Sequence, residues 1–176
     1  GTAIEPVVLP LRDVTEVQSV QGIAAYTGSL YLLDAQGGEV WRYLTAGAGF
    51  DSERSGLLGG IALGEAQTLF VDGDLYLLNS EGVLRRFRLD REQPLLLQGL
   101  DEPPRPPAGV VGDASGRLYV GDRGGRRIVA SDRAGDFVAQ YRHVKFFDLR
   151  GLTLSADGQE LFVLTGDGVY AFAPLP

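Results

Sequence analysis

Acidic and amide side chains recur in this sequence directly after short apolar segments, where together they could form a polar binding surface. They are Asp34, Asn79, Asp122 and Asp167. Carboxylate and amide oxygens accept hydrogen bonds from polar ligands, but Asp and Asn also accept bonds from the backbone of tight turns. We therefore favour a turn role for Asp34, Asn79 and Asp167, and we keep all three as candidate binding residues.

The loop after Asp122 also carries arginines. Asp122 with Arg126 or Arg127 is a possible ligand-binding pair, although we favour a structural salt bridge that fixes the loop. Arg123 is the stronger binding candidate because we expect it to project from the loop tip. The predicted ligand- or partner-binding set is therefore Asp34, Asn79, Asp122, Arg123, Arg126 and Asp167.

Residues for nucleophilic or metal chemistry are scarce. The sequence has no cysteine, which excludes disulfides, thiolate metal sites and cysteine nucleophiles. Its single histidine, His143, cannot form a histidine cluster, and no serine or carboxylate accompanies it at the spacing of a catalytic motif. We predict no catalytic residue, no metal site and no cofactor. Whether the protein is an enzyme is left uncertain, with a non-catalytic role preferred.

The strands that must position these side chains repeat four times. The repeated segments are Leu30–Asp34, Leu75–Asn79, Leu118–Asp122 and Leu161–Thr165, and their first residues are 45, 43 and 43 positions apart. A period of about 44 residues is typical of one β-propeller blade. Four such periods account for the 176 residues, which predicts a single all-β propeller domain of four four-stranded antiparallel blades.

Other segments of each repeat supply the remaining strands. A short apolar run precedes each repeated strand and is joined to it by a Gly-containing turn, which indicates a β-hairpin. A third strand with alternating apolar and polar residues follows. A fourth strand is expected at 93–97 in the second repeat and at 137–141 in the third, and only weakly around 57–58 in the first.

The last repeat ends without a fourth strand, whereas an apolar segment precedes the first repeat. We expect this segment to complete the last blade and so hide its edges. Pro6 and Pro10 suit an outermost strand, where a missing N–H does no harm. The predicted parts are a closing strand at 4–12, blade 1 at about 17–58, blade 2 at about 61–98, blade 3 at about 107–141 and blade 4 at about 149–174.

The third repeat, 107–141, resembles the NHL propeller repeat. The resemblance rests on a Pro-x-Gly start, a Gly turn, the strand Leu118–Asp122, a glycine loop and the pair Arg127-Ile128. The other repeats keep the skeleton but not the whole motif, with Asn79 and Thr165 in place of the aspartate in two of them. They are similar to blades of the wider NHL and gluconolactonase-like group.

This resemblance implies three possible blade arrangements and one possible activity. The family usually closes with six blades, so this chain is a compact four-bladed ring, one half of an eight-bladed ring formed by two chains, or a fragment. We favour the two-chain ring. By resemblance to sugar-lactone hydrolases, a divalent ion on the ring axis would be held by Asp34, Asn79 and Asp167.

Charge and composition limit the partners. The net charge of −7 disfavours nucleic acid and anionic membrane surfaces, and no apolar run approaches the length of a membrane span. The basic run Arg85, Arg86, Arg88 and Arg91 lacks the stacking aromatics of an RNA-binding face. We predict a non-catalytic binding or scaffold module within a larger protein that binds a protein or itself, with a metal-dependent lactone hydrolase as the alternative. Localisation stays unknown, and an extracytoplasmic domain is one alternative.

Overall fold

Four antiparallel sheets, one for each sequence repeat, make up the described part of the chain. The computed structural model describes residues 19–47 and 49–174. Among these residues, three sheets have four strands and the last sheet has three. Each strand pairs with the next one along the chain, so every repeat folds as a meander of hairpins.

The strand bounds follow the repeat. Blade 1 contains β1 (Val20–Tyr26), β2 (Ser29–Asp34), β3 (Glu39–Ala46) and β4 (Gly49–Gly56). Blade 2 contains β5 (Ala66–Val71), β6 (Leu75–Asn79), β7 (Leu84–Arg88) and β8 (Arg91–Gln93). Blade 3 contains β9 (Pro107–Gly112), β10 (Leu118–Asp122), β11 (Arg127–Ser131) and β12 (Phe137–Arg142). After a 3₁₀ segment (Val144–Asp148), blade 4 contains β13 (Leu149–Leu154), β14 (Leu161–Thr165) and β15 (Val169–Phe172).

The repeated apolar strands β2, β6, β10 and β14 lie second in their sheets. In β2 and β10 every residue is buried, and in β6 every residue but the last. Continuous apolar sequence suits such strands because neighbouring blades cover both of their faces. In β14 burial alternates, and Leu164 is exposed.

The core consists of layers between neighbouring blades. Leu33 of blade 1 packs in one cluster with Leu77 and Phe87 of blade 2. The next two layers also consist of apolar side chains from facing sheets. The layer between blades 2 and 3 contains Tyr76, Leu78, Val110, Leu118 and Val120. The layer between blades 3 and 4 contains Tyr119, Ile128, Leu149, Leu161 and Val163. Each layer therefore ties one repeat to the next.

The first strands of all four blades surround one central channel. Strands β1, β5, β9 and β13 line a cavity of about 860 Å³, and neighbouring first strands contact one another from β1 through to β13. This arrangement confirms the predicted four-bladed β-propeller. The two-chain, eight-bladed ring stays a prediction because the structure contains one chain, and the predicted closing strand at 4–12 lies outside the described residues.

Two outer strands differ from expectation. In blade 1 the fourth strand is β4, which forms a long hairpin with β3 around Gly47, whereas Leu57 and Leu58 follow it. In blade 2, β8 ends at Gln93 instead of spanning 93–97. Pro94 follows immediately, and because proline has no N–H to donate, it ends the ladder.

Candidate functional site

The loop between the second and third strands of each blade lies beside the connection that enters the blade. In blades 2, 3 and 4 the first loop residue donates its N–H to the carbonyl just before the first strand. These bonds are Ser80 to Glu65 at 3.2 Å, Arg123 to Pro106 at 3.1 Å and Gly166 to Asp148 at 3.2 Å. We call this side of the ring the loop face.

Asp34 and Asn79 hold their own turns on the loop face. Asp34 is fully buried, and its Oδ1 accepts the N–H of Gly37 at 2.9 Å. The Oδ1 of Asn79 accepts the N–H groups of Glu81 at 3.0 Å and Val83 at 2.8 Å. Both side chains therefore make the hydrogen bonds expected of turn residues.

Asp122 pairs with Arg127 and not with Arg126. Arg127 Nε donates to Asp122 Oδ2 at 2.8 Å, and both side chains are buried. Asp122 Oδ1 accepts the N–H of Gly125 at 2.8 Å and that of Arg105 at 3.1 Å, while Arg127 Nη2 donates to the carbonyl of Glu102 at 2.7 Å. This pair fixes the blade 3 loop to the connection that precedes the blade.

Arg123 and Arg126 are both exposed on the blade 3 loop. Arg123 Nε donates to the carbonyl of Leu149 at 2.7 Å, which links the loop to the first strand of blade 4. Arg126 has a left-handed backbone, with φ of 52°. No carboxylate of the described residues forms an ion pair with either guanidinium.

Asp167 forms an exposed ion pair on the loop of blade 4. Lys145 Nζ donates to its Oδ2 at 2.6 Å, and Thr165 Oγ1 donates to its Oδ1 at 2.7 Å. These two hydrogen bonds, that of Lys145 first, lower the pKa of Asp167 to about 2. Asp167 is thus ionised at any physiological pH and is neutralised by Lys145.

Val144 and Phe147 are apolar residues on the loop face that the sequence argument missed. They are 83% and 56% exposed, whereas Phe146 between them is buried. Both lie in the 3₁₀ segment, where residues three apart lie on the same side. The signal in the sequence is an apolar run in a connection between blades, where polar residues are the rule.

Two arginines link the blade 3 loop to residues that flank this 3₁₀ segment. Arg142, at the end of β12, donates from Nη1 to the carbonyl of Gly125 at 2.9 Å. Arg123 donates to Leu149 just after the segment. These two bonds bring the loop close to the chain on both sides of the segment, and we call the exposed residues of this region the arginine–phenylalanine patch: Arg123, Arg126, Arg142, Val144 and Phe147.

The basic run of blade 2 makes intramolecular bonds. Arg85 donates from Nε and Nη2 to the two carboxylate oxygens of Glu92 at 2.8 and 2.7 Å. Arg88 donates in the same way to Asp74, at 3.0 Å for each bond. Arg86 Nη1 donates to the carbonyl of Arg133 at 3.2 Å. These three guanidinium groups therefore have intramolecular partners and do not form an unpaired basic face.

Neither a metal centre nor a membrane span is found in the part of the chain that the structure describes. Residues 19–47 and 49–174 contain no group of three or more His, Cys, Asp or Glu side chains placed to hold a metal ion. None of these residues belongs to a helix with the length and apolar character needed to cross a membrane.

Comparisons with known proteins show similarity at the level of structure. No family model matches the sequence, and no curated protein is similar to it by sequence. The structure is similar to the computationally designed Ika4 protein, with 14% identity, a TM-score of 0.59, and 88% of this chain and 91% of that chain covered. It is also similar to a chain of a nidogen/laminin complex, with 19% identity, a TM-score of 0.65, and 89% and 61% covered. A streptogramin B lyase matches with 15% identity, a TM-score of 0.57, and 89% and 55% covered.

The chain thus spans nearly all of the Ika4 protein but only 61% and 55% of the other two chains. Sequence identities this low indicate a shared fold and do not indicate a shared activity. The natural neighbours are β-propeller proteins, and one is a lyase. Together with the four sheets around one channel, the comparisons place this chain among the β-propellers.

Proposed function

We propose that the chain is a non-catalytic β-propeller binding module, built from NHL-like blades, that binds a protein partner through the arginine–phenylalanine patch. The observation that carries this proposal is the exposure of Phe147 and Val144 beside arginines that pair with no carboxylate of the described residues. Aromatic residues and arginine are the residue types enriched at interface hot spots. Apolar side chains exposed in one place, with polar groups at their rim, are typical of interaction sites.

The rigidity of the patch supports the same proposal. The buried Asp122–Arg127 pair holds the loop from below, and the bonds from Arg123 to Leu149 and from Arg142 to Gly125 hold it from the sides. A surface that is ordered before binding loses little conformational entropy when the partner arrives. Of the six candidate residues, Arg123 and Arg126 belong to the contact surface, and Asp122 positions them.

No observation in the described residues favours the lactone hydrolase alternative. Its three proposed ligands lie on different loops, where Asp34 and Asn79 accept backbone N–H groups and Asp167 binds Lys145. We therefore advance the binding module alone, with a foreign protein as partner and a second copy of the chain as the competing partner.

The test is to replace the apolar part of the patch. Phe147→Ser combined with Val144→Ser should abolish partner binding, whereas Leu96→Ser, which alters a 70% exposed leucine on blade 2, should leave it unchanged. Partners are captured from extract on immobilised protein, purified, and then measured against each variant by calorimetry. Equal affinity of all variants would contradict the proposal.

Light scattering separates the two kinds of partner. If the partner is a foreign protein, the isolated chain should have its monomer mass of 18.9 kDa. A mass twice as large, which returns to the monomer value in the Phe147→Ser variant, would identify a second copy as the partner. A dimer that the variant does not disturb would show that self-association uses another surface.

A further inference from the structure

We propose that the segment bound by the arginine–phenylalanine patch is an acidic peptide with apolar side chains, and that Arg126 selects for its charge. This inference rests on the proposed function because it uses the same surface. It adds the chemistry of the partner and the residue that recognises it.

Arg126 occupies a backbone position that is glycine in two other blades. In blade 1 the corresponding residue is Gly38, with φ of 69°, and in blade 2 it is Gly82, with φ of 79°. Gly38 follows Asp34 by four residues, as Arg126 follows Asp122, and each precedes the third strand of its blade closely. At φ of 52°, Arg126 has the same left-handed conformation, which glycine adopts without the clash of a Cβ.

The Arg126 side chain makes no bond with the described residues that would offset the strain of its backbone. The Arg126 N–H donates to the carbonyl of Arg123 at 3.3 Å, and glycine would make the same bond. The exposed guanidinium forms no hydrogen bond or ion pair with any described residue. Strained positions of this kind concentrate at functional sites, so the side chain points to a role in binding.

The charges around Arg126 are unbalanced toward positive. Arg123, Arg126 and Arg142 pair with no carboxylate of the described chain. Three acidic residues close to them in sequence have cationic partners: Asp122 with Arg127, Asp148 with Arg150, and Asp167 with Lys145. Glu102, an exposed residue that lines a cavity with Gly124 and Gly125, adds one carboxylate beside the loop, against three arginines. Guanidinium groups bind carboxylates through two parallel hydrogen bonds, so the patch complements an acidic segment.

The apolar residues favour a peptide over a nucleic acid. Phe147 is the one aromatic ring of the patch, and Val144 has no flat surface on which a base would stack. An acidic peptide with leucine or phenylalanine side chains offers both carboxylates for the arginines and apolar groups for Val144 and Phe147. The net charge of −7 also repels a long polyanion more strongly than a short peptide.

The experiment uses a fluorescent peptide of about twelve residues, with leucines set among glutamates, and a control peptide with lysine in place of each glutamate. Fluorescence anisotropy at about 50 mM salt, where surface charges are weakly screened, gives the affinities. We expect the wild-type chain to bind the acidic peptide and not the lysine peptide. Arg126→Gly should weaken this binding roughly three-fold, as loss of one exposed charge does, while its melting temperature rises.

Arg91→Ala is the matched control, because Arg91 is an exposed arginine of blade 2 outside the patch. It should leave peptide affinity unchanged. Equal binding of the two peptides, no binding of the acidic peptide, or unchanged affinity in Arg126→Gly would overturn the inference. Tighter binding of an oligo-dT strand than of the acidic peptide would overturn it in favour of a nucleic acid. The proposed function fails separately, when Phe147→Ser leaves the natural partner bound.

Discussion

The loops of blade 1 and blade 3 start alike and then diverge. In both, an aspartate at the end of the second strand accepts the N–H of a glycine three residues later, Gly37 in blade 1 and Gly125 in blade 3. The next two residues are Gly38-Glu39 in blade 1 and Arg126-Arg127 in blade 3. The same turn, closed by the same hydrogen bond from Gly to Asp, therefore carries different side chains in the two blades.

Glu39 and Arg127 do the same structural work with opposite charges. Glu39 is buried and accepts the N–H groups of Leu57, Leu58 and Gly59, at 2.8, 2.7 and 3.0 Å. Arg127 is buried and donates to Asp122 and to the carbonyl of Glu102. Both positions secure a connection between blades. The charge differs because one connection offers N–H groups and the other offers a carbonyl.

Breaking the blade 3 pair should have the largest effect. Arg127→Leu leaves the Asp122 carboxylate buried without its cation, and we expect a loss of roughly 3–5 kcal/mol in the free energy of unfolding. Denaturant unfolding measures this loss. The double variant Asp122→Asn/Arg127→Leu should be less destabilised than the single variant, because it removes the buried charge. A single-variant loss below about 1 kcal/mol would show that the pair is not a structural anchor.

Removing Glu39 should be the next largest effect. Glu39→Ala leaves the N–H groups of Leu58 and Gly59 without their acceptor, whereas Leu57 keeps its bond to the carbonyl of Val40, at an expected cost of about 2–4 kcal/mol. Glu39→Gln keeps one acceptor oxygen and should cost about half as much. Hydrogen exchange at Leu58 should accelerate in the Ala variant. Unchanged exchange there would mean that the connection is held by other contacts.

Substitutions at Gly38 and at the equivalent Arg126 should change the free energy of unfolding in opposite directions. Gly38→Ala places a Cβ 2.8 Å from the carbonyl oxygen of Ile61 at a φ of 69°, and should cost about 1–2 kcal/mol. Arg126→Gly relieves the same backbone strain and should add about 0.5–1 kcal/mol of stability. Thermal unfolding of both variants tests the pair. Two changes of the same sign would contradict the equivalence of Gly38 and Arg126.

The exposed pair of blade 4 should show the smallest effect. The pKa of Asp167, about 2, lies below the value near 3.9 expected for an unfolded aspartate. The pair therefore contributes stability that is fully present above about pH 4 and is lost as the pH falls toward 2. Lys145→Ala should raise the pKa of Asp167, measured by carboxyl NMR titration. Asp157, whose pKa is lowered mainly by a hydrogen bond from Ser155, should not respond.

Sequence reasoning predicted the features that local patterns encode. The continuous apolar runs identified the second strand of each blade, and the Gly turns identified the hairpins before them. The turn role of Asp34 and Asn79 also follows from local chemistry, since the turn N–H groups that they accept are two to four residues away.

The features that were missed depend on residues far apart in sequence. Glu39 binds a connection about twenty residues later, and Arg127 binds the carbonyl of Glu102 twenty-five residues earlier. The exposure of Phe147 and the left-handed backbone of Arg126 depend on how a loop meets the neighbouring blade. A period-two or Gly-turn pattern contains no information on these contacts.

The bond from Arg123 to Leu149 has a mechanical consequence. It crosses from the loop of one blade to the innermost strand of the next, so a pull on that loop loads two sheets at once. The load reaches β13, whose hydrogen bonds to β14 resist it along the whole strand. The hydrogen bonds of blade 4 therefore resist a force that a bound partner applies to this loop. Arg123→Lys, which lacks the Nε donor, should lower the force at which the loop detaches from blade 4.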